Sequence, residues 1–391
     1  MSASERRAVA TLASVSGLRM TGLFMVLPLL AVYAADLPGA TPYWLGVAVG
    51  IHGLTQAALQ IPLGWLSDKV GRRPVLIGAL LVFTFGSVWA ALADTLMDIV
   101  IGRCLQGGGA IAAALMAFVA DYTRLEQRTK AMASVGISIA GAFVIALILG
   151  PVVAAWSGLS GVFWLSVMFG ALAIALVLFA LPPTPTVAVP QGTAVENRWA
   201  SAFQRGLLSL YGSIFLLHMV LMAAFVVLPS RLSGTLMVPA AEHWWIYLIS
   251  VLLSIPGVVL LLRGRSGRND LRPVMVTAVL IFVVGLYLAV HVAQWTTMVA
   301  MMVVFFTGFN TLEALLPSLV SERAPGARRG TAMGVFSTAQ FLGTFLGGWL
   351  GGHWLAGDFQ ISIAVPLVLL LGWGLLVAVF PPRSHPPHHS E

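Results

Sequence analysis

"GWLSDKVGRR", residues 64–73, sits between two long apolar runs and gathers one acid and three bases, in a chain where only 9% of residues are charged. A cluster of that kind marks where a hydrophobic segment ends and meets water. On either side of it the composition is uniform: 59% hydrophobic residues and a mean hydropathy of +0.95 over 391 residues, more apolar surface than a soluble domain of this length buries. The solvent implied is lipid. A bilayer core takes about 20 apolar residues per spanning helix, and the chain divides into twelve such spans: 9–35, 44–66, 74–93, 95–120, 131–156, 161–181, 207–230, 244–262, 274–292, 295–321, 331–354 and 361–380.

The bases set the orientation. Of 21 Lys and Arg, 18 fall at the N-terminus, in the even-numbered loops or in the C-terminal tail. The positive-inside rule then predicts that both termini are cytoplasmic. The net charge of +7 is accounted for by topology and gives no reason to expect a nucleic-acid partner. Trp44, Trp89, Trp156, Trp244, Trp245, Trp295 and Trp354 gather at the opposite ends of the spans, as an interfacial aromatic belt does.

A shift of 201 residues lays Phe24, Val26, Leu27 and Pro28 on Phe225, Val227, Leu228 and Pro229, and Asp121, Arg128, Ala131 and Met132 on Glu322, Arg329, Ala332 and Met333. The chain reads as a duplicated six-helix unit, and an even number of spans per unit makes the repeats parallel. The expected domains are residues 1–181 and 206–381, joined by a Pro-rich cytoplasmic linker at 182–205 and followed by a disordered tail at 382–391.

Within this frame Gly64, Leu66, Asp68, Gly71, Arg72 and Arg73 form the loop after span 2, and the pattern resembles the G-x-L-x-D-x-x-G-R-[RK] signature of the major facilitator superfamily. "RCLQGGGAIAAA" from Arg103 resembles that family's fourth-span pattern. Ala146, Gly150, Pro151, Ala154 and Ala155 resemble its fifth-span antiporter motif, with alanine replacing three glycines. The resemblance covers essentially the whole chain and is nearest to bacterial efflux members of the drug:proton antiporter type. It implies an all-α membrane fold of two six-helix bundles, spans 1, 4, 7 and 10 lining a central cavity, and a latch of Asp68, Arg72 and Asp121, with Arg73 and Arg128 beside it, that closes the cytoplasmic side. The alternative for these charges is plain topology-fixing in water.

Ionisable groups inside the spans are functional candidates by default. They are Arg19, His52, Arg103, His218 and Glu313, and Asn310 lies one turn from Glu313. Counted at about 1.5 Å per residue, Arg19, His218 and Glu313 share one depth, and His52 and Arg103 a deeper one. Arg103 reads either as a cavity residue or as a structural donor to backbone carbonyls, and the histidines either as proton carriers or as packing residues. Glu313, the carboxylate placed well inside a span, is the expected proton-coupling group.

Neither Lys69 nor Lys130 is followed by Ser or Thr, so no G-x-x-x-x-G-K-[ST] phosphate loop exists. No metal site, cofactor or enzymatic activity is expected. The sequence points to a monomeric secondary transporter of a bacterial inner membrane that exchanges protons for small lipophilic or cationic compounds. Export of a sugar or metabolite, or a non-transporting receptor of the same fold, are the alternatives.

Overall fold

The computed structural model describes residues 1–182, 204–263, 271–324, 329–357 and 372–374. Among these residues all regular structure is helical. The elements are α1 (Ala3–Phe24), α2 (Leu30–Tyr33), α3 (Pro42–Val70), α4 (Arg72–Ala91), α5 (Leu96–Gly108), α6 (Ala112–Tyr122), α7 (Arg128–Ala175), α8 (Arg205–Gly234), α9 (His243–Arg263), α10 (Arg272–His291), α11 (Trp295–Arg323) and α12 (Arg329–Leu355). Among the described residues, seven helical stretches are long and apolar enough to cross a bilayer. The expected linker, the twelfth span and the tail lie almost wholly outside the described residues.

Helix starts follow local chemistry. Ser2 and Glu5 close a capping box on α1, and Thr95 and Asp98 close one on α5. Thr41 caps α3 with Pro42 in the first turn, each device satisfying N–H groups that a helix start otherwise leaves open. Gly71, at φ 102°, separates α3 from α4, and no residue with a Cβ takes that angle without strain.

Four spans differ from expectation. Span 1 is not continuous: α1 stops at Phe24, and a turn over 25–29 precedes α2. Pro28 has no N–H to continue the ladder there, although its counterpart Pro229 lies inside the unbroken α8. Span 4 is split into α5 and α6 by Gly109–Ile111. There Gly107 presses on the His52 backbone, and a Cβ on Gly109 would lie 2.7 Å from the Ala79 carbonyl oxygen. Spans 5 and 6 are two arms of α7, separated by Gly158 alone (φ 64°, ψ −169°) where a short loop was expected.

The two sets of helices, α1–α7 and α8–α12, meet along a seam at the end away from the basic loops. Gly46, Gly50 and Gly53 of α3 face Gly348, Phe345, Thr344 and Phe341 of α12 so closely that a Cβ on Gly50 would fall 2.7 Å from the Phe345 carbonyl oxygen. Toward the basic end the seam gives way, and Ile61, Trp65, Leu66 and Val70 of α3 are exposed. The molecule is shut at its far end. In the fifth-span motif, Ala146, Gly150, Pro151 and Ala154 are buried, with Gly150 against the Met25 carbonyl in the broken part of span 1, whereas Ala155 faces outward.

Candidate functional site

Arg103, on α5, is fully buried and its donors are all engaged. Nε donates to Ala48 O (3.4 Å), one terminal nitrogen to Gln106 Oε1 (2.9 Å) and Leu23 O (3.5 Å), and the other to Val49 O (3.4 Å) and His52 Nδ1 (2.9 Å). His52 Nδ1 lies between two groups of opposite demand, the Arg103 guanidinium at 2.9 Å, which only donates, and the Val49 carbonyl at 3.0 Å, which only accepts. Gln106 passes the network on to Ser87 Oγ at 2.9 Å. The expected deeper layer therefore forms, and Arg103 stitches the α3 backbone to α1 and α5.

The other expected layer divides. Arg19 stays within the N-terminal set, where it donates to Gln56 Oε1 at 3.4 Å and lies 5.7 Å over the Phe83 ring. His218 and Glu313 meet in the C-terminal set, Nε2 to Oε2 at 3.9 Å. His218 Nδ1–H donates to Ile214 O (3.3 Å), and its Nε2 accepts from the Gln340 amide (2.8 Å). Glu313 keeps 37% of its side-chain surface open while its Oε2 is shut off from solvent without a hydrogen bond. Asn310 donates to Ser254 Oγ at 3.1 Å, joining α11 to α9.

At the basic end the latch residues gather on one set of helices. Arg72 pairs with Asp68 and, at 3.2 Å, with Asp121, and it also donates to Ser67 Oγ at 2.7 Å. Ser67 Oγ in turn donates to the Gly64 carbonyl (2.7 Å). Arg73 donates to Leu178 O (2.6 Å), Arg7 to Ala180 O (3.0 Å) and Tyr122 to Pro182 O (2.5 Å), so three side chains hold the last carbonyls before the expected linker. Arg128 donates to Thr123 O at 3.4 Å.

Sequence reasoning missed Glu5, which accepts from the Arg124 backbone N–H at 3.1 Å and from its guanidinium at 3.1 and 3.3 Å. The Ser2 backbone N–H and then Arg124 hold its carboxyl at about 2. It missed Gln56, Gln60 and Gln340 as well. Their signal was present, because a buried primary amide inside a span is nearly as demanding of partners as a charge.

The family description "Major Facilitator Superfamily" matches residues 12–348 and 210–391. The chain is 43% identical over 368 residues to the inner membrane transport protein YajR of Escherichia coli (strain K12), covering 92% of this chain and 80% of that one. It is 25% identical over 339 residues to the multidrug resistance protein MdtH of Aeromonas hydrophila, covering 84% and 82%. Among solved structures, the inward-facing, occupied form of a bacterial homologue of the human lysosomal transporter Spinster superposes with a TM-score of 0.73 at 15% identity, over 98% of this chain and 87% of that one. The nucleoside transporter NupG superposes with 0.72 at 17% identity, over 95% and 98%. Signatures, helical architecture and matches agree that this chain belongs to the major facilitator superfamily, a family of membrane transporters rather than enzymes.

Proposed function

We propose that this protein is a proton-coupled exporter of small organic compounds that works by alternating access, as a multi-pass protein of a bacterial inner membrane with its basic end in the cytoplasm. Two six-helix units rock about a central cavity, and the far-end seam of α3 and α12 is the closed periplasmic gate. The observation that carries the reading is the pairing of Glu313 with His218 beneath that gate. Glu313 is partly exposed, has one unbonded buried oxygen, and faces a neutral imidazole from another helix. Such a pair holds one proton in either of two places, and closing a 3.9 Å gap by about 1 Å makes a charge-assisted hydrogen bond. Loading and release of that proton then bias which end is open, as any ligand does that binds two states unequally.

YajR and the MdtH proteins carry transport and multidrug-resistance names, which supports export of lipophilic compounds. A cationic cargo finds less support, since the fully buried charges of the N-terminal set are Arg19 and Arg103.

The test is substrate-dependent proton flux in proteoliposomes. Glu313→Gln keeps the shape of the side chain and removes its titration, so uphill accumulation driven by an imposed pH difference should be lost while downhill exchange persists. Full pH-driven accumulation by Glu313→Gln would show that the proton travels elsewhere.

A further inference from the structure

Arg19 and Arg103 are both fully buried in the N-terminal set, and their surroundings differ sharply. Arg103 spends its donors on three backbone carbonyls, Gln106 and His52. Arg19 has one long hydrogen bond to Gln56 Oε1, a 4.0 Å contact to the Met20 sulfur, and the face of Phe83. Its Nε has no partner. Neither do the amide nitrogen of Gln56 or the amide oxygen of Gln60, both shut off from solvent. Burying a cation this way costs several kcal/mol unless an anion or a full set of acceptors offsets it.

No carboxylate in the described part of the N-terminal set supplies the offset. Glu5 is committed to Arg124, and Asp68 and Asp121 to Arg72, all at the basic end. Asp98 is bound to Thr95 at the opposite end, and Asp36, Asp94 and Glu126 are exposed. The site does not lack donors, however. Beside the free Arg19 Nε stands the free Gln56 amide, and Phe83, on which the guanidinium rests, also packs against Gly109, where the fourth span is interrupted. The interruption leaves α6 without a side-chain cap. Donors at a discontinuous helix inside a membrane are suited to a negatively charged group.

We propose that Arg19, with the Gln56 amide beside it, is the counter-charge for an anionic group on the transported compound, so that the cargo is an organic anion: a carboxylate, sulfonate or phosphate ester on an apolar body. This rests on the transport reading above and narrows its substrate class. His52, Gln56 and Gln60 recur every fourth residue along α3 and give the group a polar path toward the basic end. Arg19 is closed off in this structure, so loading the site requires movement at the Gly109 interruption.

Binding tests the proposal independently of coupling. The full chain in nanodiscs of phosphatidylcholine is titrated with 2-naphthoate, 2-naphthylmethanol and 2-naphthylmethylamine, three probes of matched body that differ in charge, with tryptophan quenching as the readout. The wild type should bind naphthoate at least about tenfold more tightly than the alcohol, the scale of a charge-assisted hydrogen bond. Arg19→Gln should abolish the preference while leaving alcohol binding unchanged, and Arg19→Lys should keep part of it. Gln56→Glu places a carboxylate beside the guanidinium and should cancel the preference even where Arg19→Gln fails to fold. Equal binding of the three probes by the wild type, or a preference that survives in Arg19→Gln or Gln56→Glu, overturns the proposal. Phosphatidylglycerol discs separate cargo from lipid: naphthoate binding retained there supports cargo, and its loss there assigns the site to a lipid headgroup and overturns the cargo assignment. Glu313→Gln should keep the anion preference, so a failure of proton coupling and a failure of anion recognition give different results.

Discussion

Glu5 shows what one residue does at the basic end. Its carboxyl is held at about 2 against an ordinary 4.5 because the Ser2 backbone and Arg124 both donate to it. A carboxyl depressed by folding contributes stability above its unfolded pKa and loses it as the pH falls through the folded one. The clamp between the N-terminus and the α6–α7 connection is therefore in force above pH 4.5 and released between 4.5 and about 2. Hydrogen exchange at the Arg124 amide, corrected for its intrinsic pH dependence, should be flat from pH 7 to 5. Glu5→Gln should speed it severalfold at pH 7; no change would mean that the amide is protected by something else. Counting depth along the helices put His52 and Arg103 in one layer, and the two do meet, at 2.9 Å. Arg19 was expected at the depth of Glu313 and His218, and depth along a helix leaves the direction of the side chain open. Arg19 turns inward among α1, α3 and α4, and only His218 and Glu313 come together.

At the scale of elements, α3 and α12 carry the sharpest constraint. Any side chain on Gly50 would need to share space with two carbonyls, Phe345 O at 2.7 Å and Thr344 O at 3.0 Å, and both belong to backbone. Gly50→Ala should destabilise the closed seam by about 1–3 kcal/mol, roughly fivefold to 150-fold in a two-state ratio. Spin labels at Ala40→Cys and Ala356→Cys, in a Cys104→Ser background, should report longer far-end distances in Gly50→Ala than in the parent. An unchanged distribution would show that the seam does not gate. The position of the elements followed from hydropathy, and their interruptions did not. Pro28 was visible as a stop, and the glycine run at 107–109 as a place of close approach, yet a window that averages about 20 apolar residues smooths over both.

The alternating access proposed above asks the whole molecule to hold two arrangements of nearly equal energy. Among the described residues the Arg72 cluster bonds only within the N-terminal set, and Asp68 is 61% exposed, so its ion pair contributes little, about 0–1 kcal/mol. If the cluster engages the other set when the basic end closes, Asp68→Asn should slow transport severalfold while membrane insertion and size-exclusion behaviour stay as in the wild type. Transport at the wild-type rate would leave these charges with topology alone. The family's architecture was legible because duplication and charge bias are properties of the entire chain. Which end stands open was not, since one sequence serves both arrangements.

The three side chains that grip Leu178, Ala180 and Pro182 have a mechanical meaning. They fix the chain at Pro182, and the sequence takes 22 residues from there to Gln204, where the second set of helices begins. Drawn taut, that length spans up to about 75 Å, far more than the rocking of two touching bundles consumes. A connection of that length sets no limit on how far the bundles can rock. The work of choosing between the two arrangements falls to the surfaces where the bundles touch.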